Sequence, residues 1–203
     1  KTTHDYPELW ELIAQRSLHH DWNSALQMTL RCVYAYDADA SHRVQAAINA
    51  LKIASNISDL DTMDAVYREV APLSRQSNVP AQHRLMLTMI YETIRGSADA
   101  GTLAARELLL FAERTLPRRY RMTIMLNCTS ALRRSGLPGE AETVCESLFQ
   151  SAVQFHCHDV AAEACNRLIE MHCDSGRIVI ASQWIGKYSL LRRPNEELRS
   201  RRS

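Results

Sequence analysis

Apolar positions along this chain recur on a helical beat, and the beat itself repeats. Leu9, Ile48, Leu87, Leu126 and Cys165 hold one register, each 39 residues from the last (48 − 9 = 39, and so on). Leu12, Leu51, Ile90 and Leu168 hold a second, broken only by Thr129. A polar position keeps the same time: Asn49, Asn127 and Asn166, with Thr88 in the slot between the first two and Trp10 one period earlier. Within each unit the apolar residues follow i, i+3, i+4 spacing, which is helical. A fixed period of about 20–50 residues marks a stacked repeat, in which each unit buries its apolar side against its neighbours. The predicted fold is therefore all-α, a solenoid of about five antiparallel helix pairs forming one domain over residues 1–191.

Turn chemistry divides the pairs. The first helix is expected from about Pro7 to His20, since proline suits a first helical turn. Its partner carries Ala25, Leu26, Met28, Leu30 and Val33, with Asp21 or Asn23 as its cap. Ser41 is the expected cap of pair two, His42–Ile57 and about Asp61–Ser74, with Asp61 capping the second helix. Pair three is Ala81–Arg95 and Thr102–Thr115. Pair four runs from Pro117 to the turn at Ser135-Gly136, then from Pro138 to about Phe155. Pair five is about Cys157–Asp174 and Arg177–Leu191, where the β-branched Ile178, Val179 and Ile180 lower helical propensity. Ala25, Ala65, Ala105, Ala141 and Ala181 place a small residue early in each second helix, allowing close approach. Residues 192–203 lack a core pattern and read as a basic, frayed tail or linker.

Composition agrees with helices: apolar residues are 46% and aromatics only 6%, which favours helix over sheet. The net charge of +1 points to neither nucleic acid nor a membrane. Its distribution is uneven, with 9 basic and 12 acidic residues in 1–100 (−3) against 15 and 11 in 101–203 (+4). The six cysteines form no CxxC and fall within helical patterns, so they are expected to be reduced, packed and unbridged, in a cytoplasmic protein. No apolar run approaches the roughly 18 residues of a membrane span. The chain begins at Lys1 rather than Met, which suggests a piece of a longer protein.

The helix pairs resemble tetratricopeptide repeats in their early Ala, their Pro before a first helix and their early Leu or Trp. Trp10, Ala14 and Ala25 carry that signature in the first pair. The usual unit is about 34 residues, and here most units are longer and lack the signature aromatics. Longer units of this kind resemble sensor and scaffold regions of bacterial transcription and signalling regulators. That resemblance implies a right-handed α-solenoid whose first helices line a concave face, and a region that binds small ligands or protein segments.

If the first helices line that face, its exposed positions fall at i, i+4, i+7, i+11. They are Gln45, Asn49, Lys52 and Asn56 in pair two; Arg84, Thr88, Tyr91 and Arg95 in pair three; Thr123, Asn127, Ser130 and Arg134 in pair four; Ala162, Asn166 and Glu170 in pair five. Asn can grip a peptide backbone through its donor and acceptor, and Arg or Lys can take a carboxylate. The guest would be a peptide or protein segment with acidic character. The bland reading is a solvated face, or Asn bonding the next repeat.

Other chemistry is thinner. His158, Cys165 and His172 lie seven residues apart, roughly 10 Å per step along a helix, too far for one metal ion. Arg118, Arg119 and Arg121 around Tyr120, with Arg133 and Arg134, could hold phosphates, but Glu140, Glu142 and Glu146 on the next helix are expected to balance them. There is no GxSxG, glycine-rich phosphate loop or HExxH. The expectation is thus a non-catalytic binding domain with no cofactor or metal. The alternative is an oligomerisation module, a homodimer or a dock for an effector domain outside the chain, using Ile180 and Trp184 on the uncapped last pair.

Overall fold

The computed structural model describes residues 13–17, 19–35 and 38–200, with side chains described as far as Leu191. Every regular element among them is helical: residues 13–17, then α1 (Trp22–Val33), α2 (Ala40–Asn56), α3 (Leu60–Val70), a 3-10 turn (Leu73–Arg75), α4 (Ala81–Arg95), α5 (Ala98–Thr115), α6 (Arg118–Arg134), α7 (Pro138–Gln154), α8 (His158–Asp174) and α9 (Ile178–Ser200). The expected all-α repeat forms. Leu9, Trp10 and Leu12, and the start of the first expected helix, lie outside the described residues.

Three boundaries depart from expectation. The helix expected to reach Ser74 stops at Val70, because Pro72 removes a donor and interrupts the ladder. α5 begins four residues ahead of Thr102, where the Ser97 hydroxyl accepts the Ala100 N–H at 3.1 Å and starts the helix early. α9 is helical from Ile178, and its backbone stays helical to Ser200 where a frayed tail was expected; Glu196, Glu197, Leu198 and Arg199 are strong helix formers.

One turn recurs. His20, Ser58, Gly136, His156 and Gly176 have positive φ, between 56° and 83°. After each, the next N–H reaches back five residues to a carbonyl: Asp21 to Arg16 at 2.9 Å, Asp59 to Ala54 at 2.9 Å, Leu137 to Leu132 at 2.9 Å, Cys157 to Ala152 at 2.8 Å and Arg177 to His172 at 2.8 Å. This is the Schellman closure, which satisfies carbonyls that a helix end leaves open. The residue making that long bond also starts the next helix, accepting from the residue four further on: Ala25, Met63, Ala141, Ala161 and Ala181. The closely packed position is thus fixed by the turn. In pair two it falls on Met63, fully buried, whereas the expected Ala65 is exposed. Caps shift for the same reason. Asp39 and Asp59 accept from His42 and Thr62 in place of Ser41 and Asp61, while Asp21, one of the two expected caps of α1, accepts from Ser24.

The helices gather into two compact units, Lys1–Leu108 and Leu109–Ser203, with the boundary inside α5. In the first, α2 packs against α1, α3 and α4. Ala46, Ala47, Ala50 and Ala54 are fully buried, so three neighbours can approach one helix closely. Arg43, buried on α2, donates Nε to the Val33 carbonyl at 2.8 Å and pairs with Glu69 of α3 at 2.6 Å, tying the end of α1 to α3.

In the second unit α8 packs on α7 and α9, and also touches α6. Cys145 and Cys165 are buried between helices, their thiols directed at the Ala164 and Trp184 carbonyls. Trp184, expected as an exposed contact, is only 6% exposed. Its ring meets Phe149 edge-on at 5.0 Å, and Lys187 lies over it at 3.6 Å. Trp184 shares a helical stripe with Ala181, the buried turn-start residue, and so faces inward. The outer side of α9 carries Ile178, Val179, Ile185 and Leu190 instead.

The turns give a direct test. Ser58 holds a left-handed conformation that costs a non-glycine residue about 1 kcal/mol. Ser58→Gly is expected to raise unfolding free energy by up to about that amount. Gly136→Ala, at φ 83° with open space around it, is expected to lower it similarly. Urea melts of both variants read the difference.

Candidate functional site

The first unit holds an open cleft of about 530 Å³ between residues 13–17 and α2. Gln45, Asn49, Lys52 and Asn56 line it together, all four positions that the helical spacing assigns to one face. Ser17 lines it from the helix at residues 13–17, and Ile13, Trp22 and, on α2 itself, Ile53 form an apolar floor. Amide groups above an apolar floor can take a side chain below while bonding a peptide backbone above.

The second unit has its own cleft, about 550 Å³, between α6 and α8, where Ser130, Arg134, Asn166 and Glu170 meet. Arg133, Glu163, Arg167 and Thr129 join them, so this cleft is far more charged. Arg167 organises it. Its guanidinium donates to the Leu126 carbonyl, to Thr129 Oγ1 at 3.1 Å and to Ser130 Oγ at 2.5 Å, while Nε pairs with Glu163 at 3.0 Å. Arg133 pairs with Asp174 and stands 3.7 Å from Glu170. Asn127 does not line the cleft; its side chain donates to the Thr123 carbonyl of its own helix at 2.8 Å.

The stripe of pair three divides. Arg84 is exposed and Thr88 half-buried. Tyr91 and Arg95 turn instead to Asp64 on α3. The Tyr91 hydroxyl donates to Oδ1 at 3.0 Å, and Arg95 forks both oxygens at 2.8 and 2.6 Å. α4 packs against α3 as well as α2, which brings these side chains to a carboxylate. Arg95, expected as an open groove cation, is therefore already neutralised. A third cavity of about 410 Å³ lies beside this cluster, lined by α3, the turn after it and Tyr91.

Sequence reasoning missed Arg167 and Asp64 as organising groups. A signal for Arg167 existed: Thr129 is the one polar break in the second apolar register. It is buried, with its hydroxyl 2.7 Å from the Leu126 carbonyl and within reach of Arg167. Asp64 left no comparable signal, since its partners lie 27 and 31 residues away.

The remaining clusters resolve differently from expectation. Glu142, expected to balance the arginines of α6, is forked by Arg177 at 3.2 and 2.6 Å. Arg118 lies over the Phe155 ring at 3.5 Å. His172 is fully buried, with its Nε2 3.7 Å from Glu142. Among the described residues no group of His, Cys, Asp or Glu is arranged to hold a metal ion, and no helix is long and apolar enough to cross a membrane. The six cysteines are unbridged, but Cys173 is exposed and Cys157 half-buried, against the expectation of burial. Burial pushes the Cys128 and Cys145 thiols up to about 12 and Cys165 up to about 11.

Helix pairs with repeated closures and polar first-helix clefts define an all-α repeat of the tetratricopeptide type. Solved structures share that fold. Two crystal structures of a Podosopora anserina protein assigned as a kinesin light chain, with nearly identical TPR-like repeats, superpose along nearly the whole chain. One, a single-residue variant, gives a TM-score of 0.63 at 11% identity, covering 94% of this chain and 96% of that one. The other gives 0.61 at 11% identity, covering 93% and 95%. No family model and no curated protein matches the sequence.

Two measurements follow. The bonds from Arg95 hold the Asp64 carboxyl below its ordinary 3.8. A depressed native pKa contributes stability above the unfolded value and loses it as pH falls through the native one. Between pH 5 and 2 the urea midpoint should fall more steeply for the native chain than for Asp64→Asn. In a thiol-reagent assay at pH 8, Cys173 should react first and Cys157 more slowly, while Cys128, Cys145 and Cys165 should react only on unfolding.

Proposed function

We propose that this is a non-catalytic binding domain that holds a peptide or partner-protein segment against its first helices. The observation carrying this reading is the cleft on α2. Gln45, Asn49, Lys52 and Asn56 converge there over Ile13, Ile53 and Trp22, joining backbone-gripping amides to an apolar seat. The cleft between α6 and α8 adds Ser130, Arg134 and Asn166, suited to an acidic side chain or a chain terminus. The long repeat unit supports a role as the sensor or scaffold region of a bacterial regulator in the cytoplasm, where binding biases how the region packs on an effector.

A second reading rests on α9. Val179 is 75% and Leu190 62% exposed, with Ile178, Ile180 and Ile185 also open. This apolar strip suits self-association or docking without Trp184. Light scattering across a dilution series, with Ile185→Glu and Leu190→Glu compared, tests it: a mass that falls on dilution and in the variants supports it, and a constant monomer mass sinks it.

The cleft reading is tested on a peptide selected from a random library against the full chain. Asn49→Ala should weaken binding by about one neutral hydrogen bond, roughly 1 kcal/mol, if the peptide sits on α2. Arg134→Ala should weaken an acidic peptide seated between α6 and α8 about tenfold or more, since a charge-assisted bond is worth roughly 1.5–3 kcal/mol. That second binding should also weaken as salt rises. Selected peptides indifferent to both substitutions would place the site elsewhere.

A further inference from the structure

The third cavity owes nothing to the polar stripe of α2. Its walls come from Asp64, Tyr67, Arg68 and Ala71, from Pro72 and Arg75 in the turn beyond α3, and from Tyr91. Asp64 is fully engaged by Arg95 and Tyr91. That leaves Arg68, four residues further along α3, without the pairing its spacing would otherwise invite. Arg68 and Arg75 are exposed, and neither guanidinium makes a hydrogen bond or ion pair among the described residues. Arg68 acts on Asp64 only through its field. Among the lining side chains, Arg68 and Arg75 against Asp64 leave one net positive charge, and because Asp64 is taken by Arg95 from outside the lining, both lining guanidiniums face the cavity unanswered. Asp61 acts on Arg95 and Glu92 on Tyr91, but neither lines the cavity, and Glu69 is held by Arg43.

Beside these cations stands a flat apolar wall. The Tyr67 and Tyr91 rings stack 3.7 Å apart and within 3° of parallel, with Ala71 and Pro72 alongside. A lone carboxylate would match one guanidinium and leave the other unanswered. A phosphate monoester, near −2 at neutral pH with three acceptor oxygens, matches both. A cavity of about 410 Å³ also has room for the residue carrying that phosphate, which the tyrosine and proline wall can seat. An extended polyanion fits less well. Its next phosphates would meet Asp59 and Asp61 along α3, in a half of the chain with 9 basic and 12 acidic residues.

We propose that this cavity binds a phosphorylated side chain of a partner protein, of the phosphoserine or phosphothreonine kind, with Arg68 and Arg75 on the phosphate and Tyr67 and Pro72 against the neighbouring residue. Phosphorylation of the partner then governs its binding at a site separate from the cleft on α2. It shares with the proposed function only the premise that the partner is protein.

The full chain is titrated by fluorescence polarisation against a labelled peptide library, fixed at one phosphoserine and degenerate at its flanks. The same library without phosphate and a labelled single-stranded 12-mer oligonucleotide serve as comparisons, with inorganic phosphate as competitor. The expected result is at least tenfold tighter binding of the phosphorylated library and displacement by millimolar phosphate. The preference should be lost in Arg68→Gln/Arg75→Gln and kept in Asn49→Ala. Both arginines are exposed, so the double variant should fold, and its circular dichroism melt checks this. No preference for the phosphorylated library, or a preference that survives the double variant, overturns the proposal. So does an oligonucleotide that binds more tightly than the peptides through the same arginines. Displaceable phosphate without any peptide preference would mark a site for the free anion and equally overturn it. Loss of the preference in Asn49→Ala would place the phosphate in the α2 cleft and overturn the separate site while leaving the cleft reading standing.

Discussion

The structure depends on how its helices end. A chain that must reverse direction within two or three residues has to satisfy the carbonyls of the helix it leaves and the amides of the helix it enters. Here one residue often serves both needs. The amide of Asp59 closes α2 on Ala54, and its carboxylate caps α3 at Thr62. Leu137, Cys157 and Arg177 close in the same way. The left-handed residue before each sets the angle between the helices, and with it the side chain that enters the core first. Strain at Ser58, His20 and His156 is tolerated because the five-residue bond and the packing after it outweigh a cost of about 1 kcal/mol per site.

Given those returns, close approach does the rest. The alanines of α2 let three helices share one neighbour, so the first unit gains its core from shape more than from bulky side chains. In the second unit, buried thiols fill the same kind of narrow seam. Burial that holds these thiols neutral leaves chemistry to the margins, to Cys173 and to the polar walls of the clefts.

Arginine then serves opposite ends in different places. Arg43, Arg95, Arg133, Arg167 and Arg177 bridge one helix to another or to a helix end. Each is spent on architecture. Arg68, Arg75 and Arg84 are exposed. The carboxylates decide which is which: Asp64, taken by Arg95, is unable to quiet Arg68. A nearly neutral chain can in this way carry a local positive site.

The sequence by itself determined the helices, their approximate limits and their period, because burial on one helical face every 39 residues is written directly in the apolar registers. It also brought Gln45, Asn49, Lys52 and Asn56 to one face, since a single helix fixes the angles between its own residues. Tertiary structure decided what no single helix contains. The direction of Tyr91 and Arg95 was set by α3 lying beside α4. The inward turn of Trp184 followed from its packing against Phe149, and the burial of His172 from the α7 and α9 neighbours. Residue spacing predicts a face; which neighbour that face meets depends on turn geometry, where a shift of two residues in the cap, from Asp61 to Asp59, moves the closely packed position from Ala65 to Met63.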